Sequence, residues 1–131
     1  MKNIGFVGLG AMGSAMAPLL CKSGFNVCGF DLKHSNCDKD LKIVKSLKDL
    51  YNNDVIIFML PDGKIVNKVV HDLIKFGSKS LMIDMSSSDP NDTINLGNEL
   101  KKRNIEFLDA PVSGGVSRAR VGNLTIMVGG E

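Results

Sequence analysis

The run Ile4-Gly-Phe-Val-Gly-Leu-Gly-Ala-Met-Gly13 constrains this chain more than any other stretch. A short apolar strand leads straight into a G-x-G-x-x-G turn at Gly8, Gly10 and Gly13, and helix-forming residues follow from Ala11. The first glycine allows a sharp reversal, the second leaves room for a close backbone approach, and the third lets the helix pack tightly on the strand. The helix start then points free N–H groups and a positive dipole end at one place, which suits a pyrophosphate. Chance glycine spacings and plain tight turns give the same pattern, so its position between strand and helix carries the reading.

Downstream, apolar runs of strand length alternate with segments of helical period, the pattern of a parallel sheet covered on both faces. Strands are expected near residues 3–8, 26–31, 42–44, 55–60, 80–85, 106–109 and 124–128, and helices near 11–23, 47–51, 63–76 and 91–103. The fold class is therefore α/β, a doubly wound, mostly parallel sheet of the Rossmann dinucleotide-binding type. Asp89-Pro90 is a helix start signal. Pro18 falls inside the first helix, where it removes one backbone hydrogen bond at a cost of about 3 kcal/mol, and a kink is expected there. The polar stretch between Asp31 and Ile43 is too short for a full crossover helix, so a loop or one helical turn is expected.

At 131 residues and 44% hydrophobic content the chain has the length of one domain, 1–131, with enough apolar side chains for a core. Sixteen basic against fourteen acidic residues, spread along the chain, form no patch for nucleic acid or a membrane surface. No apolar run is long enough to span a bilayer, and the start leads directly into a strand without room for a signal peptide. Cys21, Cys28 and Cys37 form no C-x-x-C pair, which argues against a disulfide framework or a zinc site and for a reducing cytoplasm.

Asp31 ends the second strand 18 positions after Gly13, where a carboxylate can accept from the adenosine ribose hydroxyls and repel a 2′-phosphate. That favours NAD over NADP, a preference Lys33 and His34 soften; the plainer alternative is that Asp31 only opens a turn. The strands ending at Met59-Leu60-Pro61 and Asp84-Met-Ser-Ser-Ser88 should finish on the same carboxyl edge as the glycine turn. There Leu60 and Pro61 would wall a ribose, and Ser86 and Ser87 would reach the nicotinamide side. The serines also fit as caps for the helix starting at Pro90. In Asp109-Ala-Pro-Val-Ser-Gly-Gly115, Ser113, Gly114 and Gly115 offer a hydroxyl and N–H groups to a carboxylate, or else form a plain loop.

Together these residues resemble the N-terminal domain of the β-hydroxyacid dehydrogenase family, which includes 3-hydroxyisobutyrate dehydrogenase and is related to 6-phosphogluconate dehydrogenase. The resemblance rests on G-F-V-G-L-G-A-M-G at 5–13, M-L-P at 59–61, D-M-S-S at 84–87, and D-A-P-V-S-G-G with L-T-I-M-V-G-G between 109 and 130. It implies hydride transfer between NAD(P) and a small β-hydroxyacid or its semialdehyde. Gly8, Gly10, Ala11, Met12, Gly13, Asp31, Leu60, Pro61 and Ser87 would hold the cofactor, and Ser113, Gly114 and Gly115 the substrate carboxylate. The family's acid–base lysine lies in a later G-x-G-x-x-x-K-x-x-x-N segment that has no match here, so no catalytic residue is nominated. The helical C-terminal domain is likewise unmatched, and the domain is expected to be incomplete at its C-terminal end. Ala15 stands where the family carries proline, and the helix after Asp31 is largely deleted.

His34 and His71 lack a second ligand or triad partner at a recognisable spacing, and no metal site is expected. Arg118 and Arg120 follow the glycine pair and would attract an anion or form a solvated face. Met59, Met82, Met85 and Met127 read as core. The competing function is a noncatalytic binding or scaffold module on the same fold, with self-association or a covering partner expected at exposed sheet edge. A separately encoded helical chain completing an enzyme is a third reading.

Overall fold

Short apolar strands buried on both faces demand helical cover on each side, and alternate residues of the strands divide accordingly. The computed structural model describes residues 2–33 and 40–130. In chain order it contains β1 (Asn3–Val7), α1 (Ala11–Lys22), β2 (Asn26–Phe30), β3 (Lys42–Ile43), a single 3₁₀ turn (Leu47–Leu50), β4 (Val55–Phe58), α2 (Gly63–Lys75) and β5 (Leu81–Asp84). Then follow α3 (Pro90–Lys102), β6 (Phe107–Asp109), β7 (Val112–Ser113), α4 (Gly115–Arg120), β8 (Thr125–Ile126) and β9 (Gly129–Gly130).

The main sheet has the order β3-β2-β1-β4-β5-β6-β9, parallel throughout except where β9 runs antiparallel along the edge of β6. Phe6 and Ile57 face one side, in a core with Leu9, Met16, Ala17 and Ala119 from α1, its preceding turn and α4. Their neighbours Val7, Ile56 and Phe58 face the other side, with Val66, Val70 and Leu73 of α2 and Leu96 and Leu100 of α3. Each fully buried side chain of this size contributes about 1.5–3 kcal/mol over leaving it in water. The doubly wound α/β fold is thus the observed one, and its winding reverses between β1 and β4.

Two helices begin on carboxylate caps: Asp62 accepts from the Ile65 N–H and Asp89 from the Asn91 N–H, with Pro90 in the first turn. The capping role expected of Ser86 and Ser87 therefore belongs to Asp89. α1 starts at Gly10 without any side-chain cap, and it runs unbroken past the buried Pro18. The expected strand at 124–128 is a correction. Only Thr125 and Ile126 pair there, with β7 in a separate two-stranded sheet, and the chain then returns to β6 as β9. α4 and β7 were not expected from the sequence. The partner strand β7 is only two residues long, so the ladder that would extend the strand beyond Thr125 and Ile126 is missing. The loop expected after Asp31, with His34 and Cys37, falls mostly on residues 34–39, outside the described residues.

Candidate functional site

In an open parallel sheet the crevice lies beyond the carboxyl ends of the strands where the winding reverses, here between β1 and β4. Gly8 and Leu9 follow β1, Asp31 follows β2, Met59 to Pro61 follow β4, and Met85 to Ser88 follow β5. The glycine turn, Asp31, the Leu60-Pro61 step and Ser87 are therefore brought to one edge.

Each glycine of the turn meets a different constraint. Gly8 has φ 101°, and a Cβ there would lie 2.1 Å from the Met59 carbonyl oxygen. At Gly13 a Cβ would lie 1.8 Å from the Gly8 carbonyl oxygen, so α1 can approach β1 only without one. A Cβ at Gly10 would meet no protein atom within 4 Å, and it would project into open space at the helix start. The first turn of α1 has no acidic side chain and no side-chain cap, which leaves its N–H groups available to an anion. A dinucleotide pyrophosphate fits this cradle, because it supplies the acceptors that the uncapped turn lacks. Gly10 and Ala11 are exposed, and Met12 is half-buried.

Asp31 is held from two sides. The Leu9 N–H donates to its Oδ2 at 2.6 Å and the Lys33 N–H to its Oδ1 at 2.8 Å. On the other flank, the serine cluster after β5 divides into fixed and open members. Ser86 is fully buried, and its Oγ accepts from the Leu60 N–H at 2.8 Å, which ties the end of β4 to β5. The buried Asp84 accepts from the Ser86 N–H through Oδ1 and from the Ser88 hydroxyl through Oδ2. Ser87, between them, is exposed. Of the two serines read from the sequence, Ser86 is committed to structure and Ser87 is open to a ligand. The sequence reading named Asp84 without giving it a role, although an acid at a strand end with serines two and four residues on signals local side-chain bonding to the backbone.

Ser113, Gly114 and Gly115 lie at the end of β7 and the start of α4, on the α1 side of the sheet. Ser113 and Gly115 are exposed, and at Gly115 a Cβ would again meet nothing within 4 Å. The Arg118 side chain passes Gly114 so closely that a Cβ would lie 2.8 Å from its Cδ, which keeps that guanidinium arm beside the turn.

Asp109 faces Asp84 in the β5–β6 register. Burial, and then repulsion from the Asp84 carboxylate, raises its pKa above the ordinary carboxylate value. It lines an open groove of about 1000 Å³ between α3 and β6, with Ile94, Gly97, Phe107 and Gly130. That groove contains no residue of the glycine turn. Away from both, His71 on α2 places Nδ1 2.6 Å from the Asn67 carbonyl oxygen and Nε2 2.9 Å from the Glu99 carboxylate on α3. The Asn67 carbonyl first, and Glu99 second, raise the His71 pKa, and His71 in turn lowers that of Glu99. No group of three or more potential metal-ligating side chains occurs among the described residues.

Proteins of known identity resemble nearly the whole chain. The human mitochondrial 3-hydroxyisobutyrate dehydrogenase is 41% identical over 138 residues, covering 97% of this chain and 40% of the human protein. The 2-(hydroxymethyl)glutarate dehydrogenase of Eubacterium barkeri is 36% identical over 142 residues, covering 97% of this chain and 45% of that enzyme. Among solved structures, the Mycobacterium tuberculosis 3-hydroxyisobutyrate dehydrogenase with L-serine superposes with a TM-score of 0.89 at 32% identity, over 100% of this chain and 47% of that one. The chain spans less than half the length of these relatives. The NAD binding domain of 6-phosphogluconate dehydrogenase matches residues 3–131, and the chain belongs to that family of dinucleotide-binding domains.

Proposed function

We propose that this chain is the cofactor-binding half of an oxidoreductase that transfers a hydride between NAD and a small β-hydroxyacid or its semialdehyde. One observation carries the reading: an uncapped helix start faces the open space above Gly10, at the reversal point of a parallel sheet. In this reading Gly8, Gly10, Ala11, Met12 and Gly13 cradle the pyrophosphate. Asp31 takes the adenosine ribose, favouring NAD over NADP, and Leu60, Pro61 and Ser87 border the nicotinamide half. Ser113, Gly114 and Gly115 hold the substrate carboxylate. The bound nicotinamide supplies the hydride acceptor or donor. The protein's part is to hold the anionic groups and to present the acid beside them. The hydroxyl proton has no assigned partner among the lysines present, so the chain alone binds cofactor without turnover. We place it in a reducing cytoplasm; no helix among the described residues is long and apolar enough to cross a membrane.

NADH fluorescence titration at pH 7 tests this reading. Saturable binding is expected, and no saturation up to millimolar cofactor would sink it. A second reading, a noncatalytic module that meets a protein partner, draws on the exposed Ile126, Met127 and Val128. A clean monomer in sedimentation, alongside NADH binding, counts against that version.

A further inference from the structure

We infer that Asp31 is a positioning residue for the glycine turn, so that one carboxylate links the choice of cofactor to the shape of the phosphate cradle; the inference rests on the dinucleotide reading above. Two successive bonds fasten the turn to the end of β2. The Gly8 N–H donates to the Phe30 carbonyl at 2.9 Å, and the next N–H, that of Leu9, donates to Asp31 Oδ2 at 2.6 Å. Leu9 lies between the two glycines that shape the turn, with its side chain buried in the core. Its N–H is aimed at Asp31 while Gly10 beyond it opens toward solvent. Oδ1 is fixed at the same time by the Lys33 N–H, so the carboxylate is held at both oxygens before any ligand arrives.

The arrangement leaves capacity for a ribose. A carboxylate offers about four acceptor positions, and the two N–H groups use one on each oxygen. The adenosine ribose hydroxyls can therefore be received without releasing the turn. A 2′-phosphate would meet a negative charge that cannot swing aside unless the Leu9 bond breaks. An amide is no substitute, since it presents one oxygen and turns an NH₂ group toward the other N–H donor. Replacing Asp31 to admit NADP would thus also loosen the pyrophosphate cradle.

The test uses two ligands, NADH and its analogue lacking the 2′- and 3′-hydroxyls of the adenosine ribose, against wild type, Asp31→Asn and Asp31→Ser. Asp31→Asn should weaken the hydroxyl-free analogue about tenfold, the size expected for a lost charge-assisted bond. In ligand-free protein the same variant should speed amide exchange at Leu9 about tenfold relative to Phe6, by the same equivalence. Asp31→Ser, which keeps a single smaller acceptor, guards against a folding defect peculiar to the amide and should behave likewise. If the variants bind the hydroxyl-free analogue as wild type does, or leave Leu9 exchange unchanged, Asp31 acts on the ribose alone and the inference is overturned. Wild-type protein that binds neither ligand overturns the dinucleotide reading itself, an outcome distinct from the first.

Discussion

Substituting Gly10 and Gly13 separately distinguishes a glycine kept for ligand from a glycine kept for packing. Gly10 has φ −70° and ψ −158°, extended backbone that any residue adopts, and an added Cβ meets no protein atom within 4 Å. Two small effects on the fold oppose each other in Gly10→Val. Losing glycine at the helix cap costs from a few tenths to about 1 kcal/mol, and the stiffer unfolded chain returns about 0.4–1 kcal/mol. The net change in stability should stay within about 0.5 kcal/mol. At Gly13 the added Cβ would lie 1.8 Å from the Gly8 carbonyl oxygen and 2.9 Å from its carbon, both backbone atoms. Neither can rotate away, so α1 must retreat from β1, and Gly13→Ala should cost at least about 1–3 kcal/mol by the general cost of overpacking. At Gly10, binding should fall although stability does not. A valine at Gly10 occupies the space a phosphate needs, and at least a tenfold loss of NADH affinity, about 1.4 kcal/mol, is expected. Urea unfolding and NADH titration on the two variants give all four values. A Gly10→Val protein that unfolds like wild type and still binds NADH normally would refute the phosphate assignment. A Gly13→Ala protein of wild-type stability would refute the packing argument.

The link between α2 and α3 predicts a pH signature. His71 is raised above its ordinary value, so its contribution is complete below about pH 6.5 and is lost as pH rises through the folded pKa. Glu99 is lowered, so its contribution is complete above about pH 4.5 and is lost as pH falls through its folded pKa. The Tm difference between wild type and His71→Gln should therefore peak between those values and shrink toward pH 9. The free-energy difference behind it should stay small, below about 1 kcal/mol, because both side chains remain partly in water. A difference that is flat with pH would show that the His71–Glu99 pair contributes nothing to stability. Ser86→Ala leaves the Leu60 N–H without its partner, which should cost about 1–3 kcal/mol in urea unfolding and expose that amide to exchange. Unchanged exchange at Leu60 would show that the latch between β4 and β5 is not needed.

Much of the fold was legible because its apolar runs are short, well separated and of one period. Val55 to Phe58 and Leu81 to Asp84 are of strand length between segments of helical period, and both are strands of the sheet. From Ala110 onward legibility fails for a physical reason. Leu124 to Val128 has the composition of a strand, yet only Thr125 and Ile126 fall in strand register with a partner, while Ile126, Met127 and Val128 stay exposed. Composition records what a segment can bury and not whether a neighbour is there to cover it. In the site, the glycine roles followed from spacing, whereas the division between Ser86 and Ser87 did not. Adjacent identical residues point opposite ways, and only the register fixed by Asp84 decides which is buried. The bond from Leu9 to Asp31 joins residues 22 apart and left no local trace.

The interior place of β1 in the sheet has a consequence for how the protein is made. Of the strands described here β1 is made before the rest, and it pairs on both sides, with β2 within the next two dozen residues and with β4 only at Val55. Until β4 arrives, one edge of β1 carries unpaired N–H and C=O groups, and Phe6 and Val7 have cover from at most one face. Pairing that must wait for distant chain is slow and leaves sticky intermediates. The glycine turn is translated first, yet the Met59 carbonyl that packs over Gly8 comes late. Competence to bind an anion should therefore appear only after about half the chain has been synthesised, which makes nascent chains of increasing length a sensitive clock for the assembly of this edge.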